Sequence, residues 1–265
     1  MSAARWVVSA AVTLLLLATL SAEASHIAPD CAAPQEITRF AVRLPNTARA
    51  IRSGQALVIV AIGSSSTSGM GASDPAHTYP AQLAEELRAR WPQRAVTVIN
   101  NGVNGEMAPQ MLARFESDVL RYHPQLVIWQ TGSNRALRSA DIEGYADTLR
   151  EGIRRLKSAR VDIVLMDPQF APRVLARPVH PLIVDSIDAV AKEMKVAVFR
   201  RFAVMRHWVE SGRYKMEDII SSDGLHMNDV SYGCIARLLA DSLVAAAGPE
   251  THARGRSEGT RGASR

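Results

Sequence analysis

The amino-acid sequence predicts an α/β domain built on a five-stranded parallel sheet with helices on both faces. Two observations carry this expectation. Five short, largely apolar runs recur from residue 56 onward, and between them stand segments whose apolar residues repeat every three or four positions. Continuous apolar strands are those buried on both faces, and strands that alternate with helices run parallel.

The first strand is read at 56–62 (ALVIVAI), followed by a helix face of Tyr79, Leu83, Leu87 and Trp91. The second strand is read at 96–99, with Met111, Phe115 and Val119 marking the next helix. A third strand at 126–129 precedes a stripe of Ile142, Tyr145, Leu149, Ile153 and Leu156. A fourth at 161–166 is followed by Leu182, Ile183, Ile187, Val190 and Met194, and a fifth stands at 196–199. Tyr232, Ile235, Leu239 and Leu243 make a last helix, which Gly248-Pro249 stops. Residues 25–55 form an N-terminal arm with no readable pattern, 56–248 the folded domain. The segment from Asp167 to Pro181 holds four prolines and reads as a loop.

Composition narrows the function class. With 47% hydrophobic and 22% charged residues among 265, the chain suffices for one domain with a sizeable core. Arg5 precedes an apolar stretch from Trp6 to Leu20, and Ala22-Glu23-Ala24 has the small-x-small form of a cleavage site. Residues 1–24 therefore read as a secretory signal peptide, the apolar stretch being shorter than the roughly 20 residues that span a bilayer. No later segment reads as a span, so no stable membrane insertion is expected after cleavage, and the protein is expected in the periplasm or outside the cell. Of the formal charge of +5, the tail arginines Arg254, Arg256, Arg261 and Arg265 against Glu258 carry +3, while Arg5 and Glu23 cancel. The remaining +2 or so argues against a nucleic-acid partner. The tail, 249–265, lacks apolar periodicity and reads as disordered. Export places the two cysteines, Cys31 and Cys234, where they can pair; alternatively Cys234 is a small buried residue on the last helix.

In a parallel sheet the ligand site lies beyond the carboxyl ends of the strands, which directs attention to four polar segments. After the first strand stands Gly63-Ser64-Ser65-Ser66-Thr67-Ser68-Gly69. It lacks the Lys of a phosphate-binding P-loop and the spacing of a dinucleotide site, and by itself reads as a turn. After the second stands Asn100-Asn101-Gly102-Val103-Asn104-Gly105-Glu106, and after the third Gln130-Thr131-Gly132-Ser133-Asn134. Asp223-Gly224-Leu225-His226 precedes the last helix, and a carboxylate three residues before a His can accept its Nδ1–H and fix its tautomer.

Taken together, in this order, the four segments resemble the blocks of the SGNH (GDSL-type) hydrolase family. Gly63, Ser65, Thr67 and Gly69 match G-D-S-x-T-x-G; Asn101 to Glu106 match the second block approximately; Gly132-Ser133-Asn134 match G-x-N-D; and Asp223 to His226 match D-x-x-H. The resemblance spans roughly residues 56–247 and implies a three-layer α/β/α, flavodoxin-like fold and cleavage of carboxylic esters. It implies Ser65 as nucleophile, in preference to Ser64 or Ser66, with His226 as general base and Asp223 orienting it. It implies an oxyanion hole from the Ser65 and Gly105 N–H groups and the Asn134 amide. A serine hydroxyl needs such a base to become nucleophilic, and a tetrahedral intermediate needs prealigned donors.

Two residues depart from the family pattern: Ser64 stands where the family has Asp, and Arg135 where it has the Asp after Asn. An Arg near the mouth leads us to expect an anionic or strongly polar acyl substrate, with Arg135 among its contacts. From the proline-rich loop, Gln169, Phe170 and Arg173 are further candidate contacts. His77, His123, His180 and His207 have no metal-ligand spacing, and neither a metal nor an organic cofactor is expected. The expected partner is an ester or acylated glycan. An acyltransferase using the same acyl-enzyme, or a non-catalytic glycan-binding protein on this scaffold, would share the residues.

Overall fold

A computed structural model describes residues 29–138 and 141–248. The expected signal peptide and basic tail lie outside these residues. Five strands, β1 (Leu57–Gly63), β2 (Val96–Gly102), β3 (Leu126–Gln130), β4 (Asp162–Met166) and β5 (Ala197–Phe199), form one sheet in the order β2-β1-β3-β4-β5. Every pairing is parallel. Helices α1 (Gln35–Thr38) and α2 (Pro45–Ser53) precede the sheet, and α3 (Ser65–Ser68) and α4 (Tyr79–Arg90) join β1 to β2. Helices α5 (Ala108–Ala113) and α6 (Phe115–Asp118) lead to β3, and α7 (Ser133–Arg138) and α8 (Tyr145–Ser158) to β4. Helices α9 (Pro172–Leu175) and α10 (His180–Met194) lead to β5, followed by α11 (Arg201–Glu210), α12 (Met216–Ile219) and α13 (Asp229–Ala247). Helix α4 packs on α13 and β2, whereas α8 packs on α10 and β4, giving the three layers the sequence predicts.

The chain leaves β1 toward one edge to make β2 and then returns to β1's other side for β3. In parallel sheets ligand sites lie at such a reversal, which here falls beyond the carboxyl ends of β1 and β3. The central strands β3 and β4 are buried along their whole length, so their sequences are almost purely apolar. Edge strand β2 is only partly buried. Its apolar run ends at Ile99, yet the strand continues through Asn100 and Asn101 to Gly102, so part of the second polar segment lies within the sheet.

Other elements depart from the pattern. The apolar repeat through Met111, Phe115 and Val119 is split into α5 and α6 at Arg114, whose guanidinium turns inward to bind Glu106, Asp118 and the Asn101 carbonyl. Leu182 is 52% exposed, because Ile183, Ile187 and Val190 define the inward stripe of α10 and Leu182 falls beside it. Helix α13 is long and apolar enough to span a membrane by composition, contrary to the sequence reading, but its apolar face is core packing against α4.

The arm is part of this same core. Phe40 and Leu44 are buried, and Asp162, at the start of β4, accepts bonds from Asn46 Nδ2 (3.0 Å), Thr47 N (2.7 Å) and Thr47 Oγ1 (2.8 Å). Cys31 is joined to Cys234 on α13, with Cα atoms 4.9 Å apart across a sequence separation of 203. In the chain-entropy view, closing so long a loop stabilises the fold by up to about 5 kcal/mol. Replacing both cysteines with alanine is expected to lower the thermal midpoint by roughly 10 °C or more. Calorimetry with and without reductant checks this: the reduced wild type should melt with the double variant.

Candidate active site

The segment after β1 turns immediately into the single helical turn α3. Amides of Thr67 and Ser68 bond back to the Ser64 carbonyl, and those of Gly69 and Met70 to that of Ser65. The turn presses on β2 so closely that a Cβ at Gly102 would stand 2.1 Å from the Ser68 nitrogen. Below it, Gln130 at the end of β3 uses one oxygen to accept from Ser64 N (2.9 Å), Ser64 Oγ (3.1 Å) and Thr67 Oγ1 (3.2 Å). Ser64, which replaces the aspartate of the family pattern, is thus a buried anchor of the turn. Ser66 is also buried, and only Ser65 of the three reaches the surface. That exposure favours Ser65 over its two neighbours.

The opposing segment is a tight loop closed by an Ile220–Met227 bridge and a 2.8 Å bond from Ser221 N to the His226 carbonyl. Asp223 Oδ1 accepts from Ser221 Oγ (2.7 Å), Leu225 N (2.9 Å) and His226 N (2.9 Å), and its Oδ2 pairs with His226 Nδ1. Partial burial disfavours the Asp223 charge, but these hydrogen bonds prevail and hold the carboxyl well below the usual carboxylate range. The other ring nitrogen, Nε2, lies 2.8 Å from Ser65 Oγ across 161 residues of sequence. The imidazole side chain is only 12% exposed, whereas Asp223 is 41% exposed.

The second and third segments meet through bonds from α7 to the Gly105 and Glu106 carbonyls. Gly105 has φ +81°, a conformation that L side chains rarely adopt, which is the local reason for glycine there. Asn134, in the first turn of α7, donates from Nδ2 to the Glu106 carbonyl at 2.9 Å, leaving its second amide hydrogen for a ligand. One turn later, Arg138 Nη1 donates to the Gly105 carbonyl at 2.8 Å.

The remaining candidate contacts divide. Arg135 turns away from the mouth: it binds Asp141 Oδ1 (2.9 Å) and the Asp141 and Glu143 carbonyls, so the cation expected at the mouth is neutralised by the loop before α8. Gln169 is 1% exposed and lies beneath the site instead of lining it. Its oxygen accepts from Ser66 Oγ (3.3 Å), Ser133 Oγ (2.7 Å) and Arg201 Nη2 (3.0 Å), and its nitrogen donates to the Leu225 carbonyl (3.0 Å). Phe170 packs edge-on against Phe202. Arg173 is exposed and flanks the Asp223–His226 loop, its amide bonded to the Gly224 carbonyl at 3.0 Å.

Sequence reading missed Gln130, Arg114, Arg138 and Arg201. Arg201 is wholly buried, donating also to the Asp167 carbonyl at 3.0 Å, and burial lowers its pKa from the usual guanidinium value while Asp167 opposes that shift. Burial likewise pushes the Asp167 carboxyl up to about 7, against the Phe202 N–H and Arg201. Tyr79, bonded to Thr67, is pushed up to about 12 by burial and stays neutral. A signal for Arg138 was present, namely its spacing of four from Asn134, but only a helix at that point gives the spacing meaning. Among the described residues, no group of three or more His, Cys, Asp or Glu side chains could hold a metal. Cutting the Gln169 amide strands four buried partners, so Gln169→Leu should cost about 2–5 kcal/mol of stability. Hydrogen exchange should then quicken in 64–69 and 223–227 ahead of the sheet, whereas Gln169→Glu, which keeps the acceptor, should be milder.

Several known proteins resemble this chain. An arylesterase of Vibrio mimicus is 26% identical over 149 residues, covering 56% of this chain and 70% of the relative. The thioesterase 1/protease 1/lysophospholipase L1 of Escherichia coli K12 is 25% identical over 192 residues, covering 72% and 86%. A solved two-domain esterase, described as active on acetylated mannans, superposes with TM-score 0.67 at 22% identity over 80% of this chain; the chain spans 58% of that protein's length. The model of the Non-GDSL lipase-like family matches residues 30–249, a family set apart by name from the motif that Ser64 alters here. By that match the chain belongs to the Non-GDSL lipase-like family, within the SGNH/GDSL type of hydrolase that its four segments resemble.

Proposed function

We propose that this protein is an exported serine hydrolase of carboxylic esters, with Ser65 as nucleophile, His226 as general base and Asp223 as its orienting acid. One observation carries the reading: His226 Nε2 stands 2.8 Å from Ser65 Oγ while its Nδ1 is held by Asp223. A base within hydrogen-bond reach of a hydroxyl, itself oriented by a carboxylate, is what a serine requires to attack an acyl carbon.

In this reading the Ser65 oxygen adds to the acyl carbon as Nε2 takes its proton. The carbonyl oxygen becomes an oxyanion facing the Ser65 and Gly105 N–H groups and the free Asn134 amide hydrogen. Collapse breaks the bond to the alcohol, which leaves with the proton from His226, and the acyl group stays on Ser65. Water then gives a proton to Nε2 and adds to the acyl carbon, and collapse breaks the bond to Ser65 Oγ, which takes the proton back from Nε2 as the acid leaves. Asp223, held ionised, stabilises the imidazolium that forms twice in the cycle.

For the substrate we infer a short acyl ester on a glycan. The structurally similar esterase described as active on acetylated mannans supports this. The Cys31–Cys234 bond fits an oxidising compartment, and the leader-like residues 1–24 supply the route to it.

With p-nitrophenyl acetate, Ser65→Ala should lower kcat by about 10³–10⁶ with little change in KM. Asp223→Asn keeps an acceptor for the Leu225 and His226 amides but cannot hold Nδ1–H as before, so kcat should fall by about 10³–10⁴ without unfolding. Wild-type turnover no faster than that of Ser65→Ala would refute the reading. Faster hydrolysis of long-chain esters than of acetylated glycans would refute the substrate class.

A further inference from the structure

The guanidinium of Arg138 belongs to none of the residues that the family pattern singles out, yet it touches the loop that forms the oxyanion site. Three observations bear on what it does there. Asn134 and Arg138 lie four apart on α7 and so share a face, and from that face they take two consecutive carbonyls of the second segment. Asn134 Nδ2 binds Glu106 O at 2.9 Å and Arg138 Nη1 binds Gly105 O at 2.8 Å. The guanidinium also lies against the Gly105 α-carbon, its Nη2 3.0 Å from where a Cβ would project.

The second observation concerns charge. Among the described residues no carboxylate pairs with Arg138, whereas its neighbours are all matched. Arg135 is paired with Asp141, and Arg114 with both Glu106 and Asp118. Glu106, the acid adjoining Gly105, is therefore already spoken for and does not cancel the Arg138 charge. Third, Arg138 is exposed, in contrast to the buried Arg201, so its place beside Gly105 does little for the core.

We infer that Arg138 is a positioning residue of the oxyanion site: it holds the Gly105 carbonyl, limiting rotation of the backbone at Gly105, and sets beside that residue a positive charge that no carboxylate among the described residues pairs. Rotation about the Gly105 backbone is easy for a glycine, and a carbonyl held from α7 removes that freedom before substrate arrives. A fixed donor costs no reorganisation as charge develops, and a cation close to it favours that charge, though solvent screens an exposed guanidinium in part. The effect belongs to the transition state, because the negative charge exists only there.

This inference rests on the Ser65 acyl-enzyme reading, and the experiment separates the two. Ser65→Ala, Arg138→Met and Arg138→Lys are compared with wild type on p-nitrophenyl acetate, a neutral ester, alongside thermal unfolding of each. Arg138→Met should lose about 10–100-fold in kcat with KM within about threefold and an almost unchanged unfolding midpoint, and Arg138→Lys, which keeps the charge and one donor, should recover most of the loss. The inference is overturned if Arg138→Met keeps kcat within twofold of wild type, shows its loss in KM alone, or is matched in its loss by Arg138→Lys. Wild-type activity no greater than that of Ser65→Ala would instead overturn the acyl-enzyme reading itself.

Discussion

The buried carboxamide of Gln169 is the fastening on which the site depends. It lies just past β4, outside all four motif segments, and reaches three of them at once: Ser66 of the nucleophile turn, Ser133 at the head of α7 and the Leu225 carbonyl of the histidine loop. An amide suits this post because it accepts on one side and donates on the other, and an acid or an amine would leave one set of partners without a match. Arg201 supplies a further donor from below and is itself held by the Asp167 carbonyl. Loops remote in sequence keep a separation fit for proton transfer only if something rigid joins them, and here the joint is beneath the floor.

Gln130 repeats the arrangement under β1. The aspartate that commonly precedes the nucleophile in the family pattern is Ser64 here, and the neutral amide oxygen of Gln130 gathers the Ser64 and Thr67 donors instead. A negative charge beside the proposed nucleophile is thereby absent, while a positive one stands at Arg138 against Gly105 of the proposed oxyanion site. Both changes tilt the local field toward accepting developing negative charge. Under the proposed function, the departures from the motif read as one consistent electrostatic adjustment.

Much of this was legible in the sequence, and the physical reasons differ by element. Central strands such as Leu126–Gln130 are buried on both sides, so composition alone betrays them; β2 lies at the edge, its last polar residues pair with β1, and its true length was hidden. The juxtaposition of Ser65, Asp223 and His226 could be anticipated because the chemistry proposed for them needs particular residue types at fixed local spacings. The arm could not: α1 and α2 are short and owe their place to the Cys31–Cys234 bond and to Asp162, contacts with no local signature. Arg135 and Gln169 were assigned to the substrate because both adjoin motif segments, but adjacency in sequence does not say which way a side chain points. Arg135 found an acid six residues ahead, and Gln169 found four polar partners indoors.

The central claim is that Ser65, and neither neighbouring serine, is made nucleophilic by the histidine loop. Treatment with a fluorophosphonate, followed by peptide mass mapping, tests it most directly, since the reagent is attacked by a base-activated serine and by little else. The account predicts one adduct, on Ser65, that disappears in His226→Ala while the fold persists. Labelling on Ser64 or Ser66, or labelling of Ser65 that survives removal of the imidazole, would contradict it.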